Sequence, residues 1–274
     1  MVEPVIHRFC VSHRKPLIPE SWYDDCISLG DFQTDSALHV RQLDPFWHEA
    51  RPLAYGAAGT AVLPIVIDRF ANSVNLIEIS SYRKRVLPFP KGRESPRYRT
   101  MRELSFEDSR EKVEPTVFVP RSDSGFLVAQ PLYFKNSVIG QYAKVHHRKD
   151  IRDYASLAIE IGVLDKGSAS EFLKERQFIP GGVEFGIYPK SWSIHELSKI
   201  ERVSREFLRS YGSRVRRYNN YQIRAVGFLS ERLGSFFLIR HLREKYPNGI
   251  PVDVFGYMTV IVEGNLNYQG GRAN

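Results

Sequence analysis

The amino-acid sequence predicts a single α/β domain over residues 1–274, with a central, mostly parallel sheet flanked by helices and a helical C-terminal portion. Short apolar, β-branched runs alternate with longer stretches of helical periodicity, and the helical stretches dominate the second half. Hydrophobic residues make up 42% of the chain, enough for a sizeable core. Charged residues make up 26%, a share typical of globular proteins that argues against disorder.

The chain carries 39 Lys and Arg against 31 Asp and Glu, a formal charge of +8. This excess favours an acidic partner, such as a nucleoside diphosphate, a nucleic acid or an anionic membrane face. With only Cys10 and Cys26, no disulfide framework is possible, and we expect free thiols in a reducing compartment. The N-terminus lacks a signal-peptide pattern, and the weakly polar stretch 53–67 is shorter than the ~20 residues that span a bilayer. We therefore expect a cytoplasmic protein, with peripheral attachment to the inner membrane as an open alternative.

Two basic turns follow predicted strands in the N-terminal half. Residues 5–11 are predicted to form the first strand, and the turn 12–16 (SHRKP) follows directly. Residues 75–80 form another predicted strand, which leads into 81–85 (SYRKR). Because open α/β sheets bind ligands beyond the carboxyl ends of their strands, these turns could hold a diphosphate. Each could also be a solvated turn, but the two together favour a phosphate site.

A buried helix is predicted between these strands. Asp44 is a suitable N-cap, and Pro45 suits the first helical position. The run from 46 to about 67 is mostly apolar, although glycines and a proline weaken its helical pattern. Glu49 lies in this helix, where it either complements the helix dipole or points into a pocket.

The rest of the chain contains a predicted loop and a series of predicted elements. Residues 88–112 are polar and aperiodic, which predicts a long loop or a mobile insertion. The later elements are predicted as strands at 116–119 and 126–129, helices at 137–145 and 150–162, a strand at 183–188, helices at 193–211 and 219–245, a strand at 252–262 and a frayed tail at 264–274. Ser193 is a candidate N-cap, with Glu196 completing a capping box.

The last predicted helix separates into two faces at 100° per residue. Its core stripe is predicted to contain Val226, Leu229, Leu233 and Phe237. The opposite side carries Arg224, Gly227, Phe228 and Glu231. A glycine inside a helix costs up to ~1 kcal/mol, and one reason to keep it is close approach of a backbone or a ligand. Glu231 is then either a carboxylate at a site or, as the spacing alone favours, the partner of a nearby arginine.

His146, His147 and Asp150 form a further cluster. Two histidines and a carboxylate could bind a metal, but no third well-spaced ligand accompanies them, and Asp150 could simply cap the following helix. The sequence lacks a glycine-rich phosphate loop and the common hydrolase and zinc motifs. It also lacks an Asp-x-Asp pair, so no metal site is predicted, and Mg²⁺ or Mn²⁺ is left as an open cofactor.

Five segments, in this order, resemble a family that was first named as a domain of unknown function and is associated with capsular and exopolysaccharide synthesis. Some of its members are galactofuranosyltransferases with a GT-A-like fold. The matching segments are SHRK (Ser12, His13, Lys15), DPFWHEA (Pro45, Glu49), SYRK (Tyr82, Arg83, Lys84), YAKVHHRKDI (142–151) and GFLSERL (227–233). The last, similar to the family's FGFLSERL, is the most specific. The chain departs from the family at Ser81, where the family has histidine.

The resemblance implies a GT-A-like hexosyltransferase of bacterial surface polysaccharide biosynthesis, which includes galactofuranosyl transfer. It would move a sugar, with inversion, from a nucleoside-diphosphate donor such as a UDP-sugar to a glycan or lipid-linked acceptor. The catalytic carboxylate is expected to be Glu231, followed by Asp150 or Glu49. The residues expected to bind the donor are Ser12, His13, Lys15, Tyr82, Arg83, Lys84, His146, His147 and Arg224.

Two other functions remain as alternatives. A non-catalytic relative would bind a glycan or a nucleotide without turnover. A nucleic-acid-binding protein would fit the charge and the aromatic, arginine-rich segment 214–221, but no nucleic-acid-binding module is recognisable and this partner is disfavoured.

Overall fold

The computed structural model describes residues 5–71, 73–98, 100–110, 120 and 124–264. In these ranges the strands are β1 (Ile6–Ser12), β2 (Asp25–Ser28), β3 (Leu76–Ser81), β4 (Lys84–Leu87), β5 (Arg93–Glu94), β6 (Met101–Ser105), β7 (Leu127–Ala129), β8 (Leu132–Tyr133), β9 (Gln177–Phe178), β10 (Gly186–Pro189) and β11 (Phe255–Val262). The helices are α1 (Val40–Leu43), α2 (Pro45–Ala54), α3 (Ala57–Ala61), α4 (Leu63–Phe70), α5 (Phe106–Ser109), α6 (Val138–Val145), α7 (Arg148–Glu160), α8 (Lys166–Lys174), α9 (Lys190–Val215) and α10 (Ala225–Lys245). None of these helices is long and apolar enough to cross a bilayer.

The main sheet has the strand order β2-β1-β3-β10-β7-β11-β6-β5. Strand β1 pairs in parallel with β2 and β3, and β11 pairs in parallel with β6 and β7. The sheet is nevertheless mixed, rather than mostly parallel as predicted. Strand β10 runs antiparallel to both neighbours, and β4 turns back from β3 to pair with β11. This last pairing links β3, β10, β7, β11 and β4 into a closed circuit.

The hydrophobic core joins the parallel strands to the long helices. Helix α9 contacts α4, α7 and α10, and its buried side chains include Leu197, Val203 and Phe207. Trp47 of α2 is completely buried, and its Nε1 donates a hydrogen bond to Glu201 of α9 at 2.9 Å. The predicted core stripe of α10 is confirmed, because Val226, Leu229, Leu233 and Phe237 are all at most 2% exposed. The core therefore connects α2 and α10 to the strands that carry the basic turns through α3, which contacts β1, and α9, which contacts β3.

The predicted helix from 46 to about 67 is three helices, α2, α3 and α4. The side chain of Asp44 caps α2 as predicted, accepting a hydrogen bond from the Phe46 N–H at 3.0 Å. The helix ends because Tyr55 has a positive φ of 50°, and α3 begins two residues later. Only Val62 then separates α3 from α4, whose second residue is Pro64.

Two other predictions are corrected by the structure. Part of the predicted loop 88–112 is strand β6, which is hidden in the sequence because its inward residue Glu103 is charged and is held by Arg93 and Ser95. Helix α9 begins at Lys190 rather than at Ser193, so Ser193 is not its N-cap. The Ser193 hydroxyl instead donates to the Lys190 carbonyl. The predicted strand 116–119 and residues 265–274 of the predicted tail lie outside the described residues.

Candidate active site

A cleft of about 410 Å³ lies at the carboxyl ends of β1 and β3. Because these strands are parallel neighbours, the two basic turns that follow them meet at the same edge of the sheet. Helix α2, the segment before β10 and the first two turns of α10 form the other walls. The basic, imidazole and carboxyl side chains that line the cleft are those of His13, Arg51, Arg83, Lys84, Glu184, Arg224 and Glu231.

The cations at the strand ends surround a tyrosine. The ring of Tyr82 lies 4.8 Å from the His13 ring, centre to centre, in an edge-on arrangement. The Arg83 guanidinium carbon lies 5.2 Å from the centre of the same ring. Burial lowers the pKa of His13, and the charges of Arg51, Arg14 and Arg83 lower it further. His13 is therefore neutral at pH 7 and can donate or accept a hydrogen bond.

Arg51 reaches the cleft from α2 across Gly30. Gly30 has a φ of +74°, and a Cβ at this position would lie 2.9 Å from the Arg51 guanidinium carbon. The glycine therefore permits both the turn after β2 and the close approach of Arg51. The Nε of Arg51 is buried and has no hydrogen-bond partner among the described residues. This leaves the guanidinium group with a donor that an anionic ligand could use.

Two carboxylates, Glu184 and Glu231, lie together in the cleft. The Gly181 N–H donates to Glu231 Oε1 at 2.8 Å, and the Ser230 hydroxyl donates to Glu184 Oε1 at 2.9 Å. Burial raises the pKa of Glu184 to about 8, and the Glu231 charge adds to the effect. At pH 7 Glu184 is therefore mostly protonated, while Glu231 keeps a hydrogen-bonded position on the first turns of α10.

The turn before β10 brings these carboxylates together. Gly182 has a φ of +52°, and a Cβ there would lie 2.6 Å from the Glu231 carbonyl oxygen and 2.8 Å from the Ser235 nitrogen. Only a glycine allows the turn to pack this closely on the backbone of α10. Its packing places Glu184 beside Glu231, although 47 residues separate them in sequence.

Aromatic side chains surround Arg224 at the N-terminal end of α10. Its guanidinium carbon lies 5.5 Å from the Tyr55 ring centre, 5.3 Å from that of Tyr221 and 5.7 Å from that of Phe228. Tyr55 has φ 50° and ψ −125°, a backbone conformation that costs of order 1–3 kcal/mol for a residue with a side chain. Its side chain remains 40% exposed.

The structure brings half of the predicted site residues into the cleft. Those that line it are His13, Tyr82, Arg83, Lys84, Arg224 and Glu231. They come from three segments that are distant in sequence, the two basic turns and the start of α10. The expected pairing of Glu231 with a nearby arginine is not what holds its carboxylate, since Glu231 accepts the Gly181 N–H.

Three predicted residues of the N-terminal segments do not line the cleft. Ser12 is buried, and its hydroxyl donates to the Arg14 carbonyl, which closes the turn after β1. Lys15 lies in a separate groove with Arg110 and Glu263. Glu49 is exposed on α2, and it precedes Arg51, the residue of that helix that enters the cleft.

The cluster of His146, His147 and Asp150 lies outside the cleft. The His146 ring stacks on Phe228 at 4.2 Å between centres, so it supports the cleft from behind. Burial lowers the pKa of His146 to about 4. His147 occupies the N-cap position of α7 without a side-chain capping hydrogen bond, and its ring packs on Tyr218. Asp150 does not cap α7, because it lies in the helix and accepts hydrogen bonds from Arg214 and Tyr218.

The cleft also contains Arg51, Tyr55, Glu184 and Phe185, which no sequence motif indicated. Glu184 was placed in a predicted strand, whereas β10 begins at Gly186. The preceding pair of glycines was a usable signal, since it indicated a tight turn. Among the described residues no group of three or more His, Cys, Asp or Glu could hold a metal ion.

No protein-family model matches the chain, and no curated protein matches its sequence. Among solved structures, the chain is similar to the apo structure of WbbM, a bifunctional glycosyltransferase, with a TM-score of 0.61 and 12% sequence identity. The match covers 98% of this chain and 48% of that chain, so the chain spans about half the length of WbbM. The fold is therefore similar to that of a glycosyltransferase, whereas its GT-A-like assignment stays a prediction. Membership of the polysaccharide-synthesis family stays a prediction.

Proposed function

We propose that the chain is a glycosyltransferase that moves a sugar from a nucleoside-diphosphate donor to a hydroxyl group of a glycan or lipid-linked acceptor. The observation that carries this proposal is the content of the cleft. Five basic or imidazole side chains and two carboxylates line one pocket at the ends of parallel strands. A diphosphate needs the first set, and deprotonation of an acceptor hydroxyl needs the second. The glycosyltransferase-like fold supports the same conclusion.

In this mechanism Glu231 is the general base. The acceptor oxygen attacks the anomeric carbon of the donor sugar and forms the new glycosidic bond with inversion. Its proton passes to the Glu231 carboxylate as the bond from the anomeric carbon to the diphosphate oxygen breaks. The electron pair of that bond stays on the diphosphate, so negative charge grows on the leaving group.

The basic residues of the strand ends stabilise that charge. Arg51, Arg83 and Lys84 line the cleft on the side where β1 and β3 end. Cationic side chains held in advance in a partly buried site can stabilise a developing charge as a divalent cation does elsewhere. We propose that they do so here, which makes turnover independent of added Mg²⁺ or Mn²⁺. The proposal gives no catalytic role to Glu49 or Asp150.

The test is a turnover assay with a panel of nucleotide-sugars and glycan acceptors, preceded by a thermal-shift screen of nucleoside diphosphates. Ligand at 100 times its dissociation constant stabilises a protein by ~2.7 kcal/mol, which such a screen detects. Glu231→Gln should lower kcat by 10²- to 10⁴-fold, the usual contribution of a general base, and leave donor affinity unchanged. Arg83→Ala should weaken binding of the donor and lower turnover.

Glu49→Gln is the matched control, because this carboxylate belongs to the neighbouring helix α2 and is exposed outside the cleft. It should leave both turnover and donor affinity unchanged. Tight nucleotide binding with no turnover of any donor would favour a non-catalytic relative instead. Equal turnover in Glu231→Gln and wild-type proteins would remove the proposed base.

A further inference from the structure

At two positions of the cleft, the amino acid present is not the type that the local backbone conformation favours. Tyr55 occupies a conformation suited to glycine, while Gly227 occupies a helical position suited to alanine. The two positions are close, because the carbonyl of Ala54, the residue before Tyr55, is the nearest atom to a Cβ placed on Gly227. Both line the cleft. Residue types that the backbone disfavours are expected where ligand binding, rather than folding, determines which side chain is present.

The side chain of Tyr55 gains little from the fold in return for its strained backbone. Its φ of 50° and ψ of −125° suit a residue without a Cβ. The adjacent Gly56 has an ordinary helical φ of −61°, so the glycine of this turn is not at the position that needs one. The tyrosine lines the cleft and is 40% exposed, with Arg224 beside its ring.

Gly227 is not required by packing within the chain. A Cβ at this position would meet the Ala54 carbonyl oxygen at 3.8 Å and the Ala57 Cβ at 3.9 Å, both ordinary van der Waals distances. The contrast is Gly182, where a Cβ would overlap the backbone of α10 at 2.6 Å. The unliganded fold would therefore accept alanine at 227, and the missing side chain leaves room in the cleft.

We propose that Tyr55 and Gly227 form the subsite for the nucleobase of the donor, an assignment that rests on the proposed function. The Tyr55 ring stacks on one face of the base, the edge of the base approaches the bare backbone at Gly227, and the Arg224 guanidinium group lies beside it. An aromatic face next to an empty position selects a flat ring over a phosphate group.

The spacing along two helices agrees with this assignment. Arg51 and Tyr55, the residue directly after α2, are four residues apart, about 6 Å along the helix axis, a separation that a ribose can span between a phosphate and a base. Arg224, directly before α10, and Glu231 are seven residues apart, about 10 Å along the helix axis. The base therefore binds at the Arg224 end of the cleft, and the sugar transfer occurs at the Glu231 end.

The experiment measures two affinities by calorimetry. One is for whichever of UDP, GDP, ADP and dTDP binds most tightly, and the other is for inorganic pyrophosphate. Tyr55→Gly and Gly227→Ala should each weaken nucleotide binding about tenfold or more, the loss expected when one base–aromatic stack is removed or obstructed. Pyrophosphate affinity should change less than twofold. Neither substitution should lower the melting temperature by more than ~2 °C, because each replaces a locally unfavourable residue. Tyr55→Phe keeps the ring and should retain nucleotide affinity.

Gly212→Ala is the matched glycine control. Gly212 lies near the end of α9, and the nearest atom to a Cβ there is a Leu53 methyl carbon at 3.8 Å, so its packing resembles that of Gly227 but lies outside the cleft. It should leave nucleotide affinity unchanged.

Three outcomes would overturn the base subsite. Unchanged nucleotide affinity in Tyr55→Gly would do so, as would an equal loss of pyrophosphate affinity or a large fall in melting temperature. A raised acceptor KM with normal nucleotide affinity would assign Tyr55 to the acceptor instead. If the wild-type protein bound none of the nucleotides, the proposed function itself would fail, and the wild-type titration alone would show it.

Discussion

The cleft and the cluster around Asp150 contain the same kinds of side chain in opposite arrangements. In the cluster, Arg214 lies 2.7 Å from Asp150 and 2.7 Å from Asp153, and Tyr218 donates to Asp150 at 3.0 Å. In the cleft, Glu184 and Glu231 adjoin each other, and burial, together with the charge of Glu231, raises the pKa of Glu184 to about 8. Opposite charges in contact satisfy each other, and removal of one partner leaves a buried charge without compensation. Two acidic groups held together in a buried site are a cost that binding or catalysis can explain.

A substitution in the Asp150 cluster should therefore lower the stability of the protein, whereas a substitution of Glu231 in the cleft should not. Asp150→Ala removes one partner of a buried ion pair and leaves Arg214 with only Asp153. We expect the free energy of unfolding to fall by about 3 kcal/mol, near the low end for such a loss because Arg214 keeps one carboxylate. Urea denaturation measures this change.

The matched variant is Glu231→Gln, which should change the free energy of unfolding by less than ~0.5 kcal/mol, as for a substitution that removes no ion pair. An Asp150→Ala protein with full stability and no turnover would contradict this prediction. Asp150 would then have the catalytic role that the family resemblance implies.

The sequence predicted those parts of the site that depend on local patterns. Hydrophobic periodicity separates the core stripe of α10 from the side that carries Arg224 and Glu231, because a helix repeats every 3.6 residues. The strand-end turns were predicted because parallel strands end at one edge of the sheet. Such features are determined within about 20 residues of chain.

The rest depends on contacts between distant residues. Nothing near Asp150 in the sequence indicates that Arg214, 64 residues later, pairs with it. Glu184 becomes a neighbour of Glu231 only because Gly182 packs on the α10 backbone. Strand β6 was missed because its buried Glu103 is neutralised by partners on other segments. Charge pairing of this kind has no periodicity that a single sequence displays.

The pH dependence of stability tests the cleft side of the comparison. The pKa of Glu184 is 4.5 ordinarily and about 8 in the folded protein. Unfolding therefore releases a proton between these values, so the contribution of Glu184 to stability falls as pH rises from about 4.5 to about 8 and is constant above that range. Glu184→Gln removes this slope and keeps a neutral side chain that can accept from Ser230.

At pH 8 we expect Glu184→Gln to be more stable than the wild-type protein by about 1–2 kcal/mol, after allowance for the part of Glu184 that the cleft exposes. At pH 4.5 the two proteins should be equally stable. The measurement is urea denaturation at both values of pH. A difference that is the same at both would show that packing, rather than protonation of Glu184, causes it.

The smallest expected effect on stability is that of an exposed ion pair at the edge of the Asp150 cluster, because the contribution of an ion pair depends on its burial. Lys149 lies 3.2 Å from Asp153, one helical turn away, but its side chain is 69% exposed. An exposed pair with this spacing contributes about 0.3–0.5 kcal/mol, and salt screens it. Lys149→Ala should therefore cost at most that amount in low salt and nothing measurable in 1 M NaCl. A loss as large as that of Asp150→Ala would mean that the charge of Asp153, rather than the burial of Asp150, holds the cluster together.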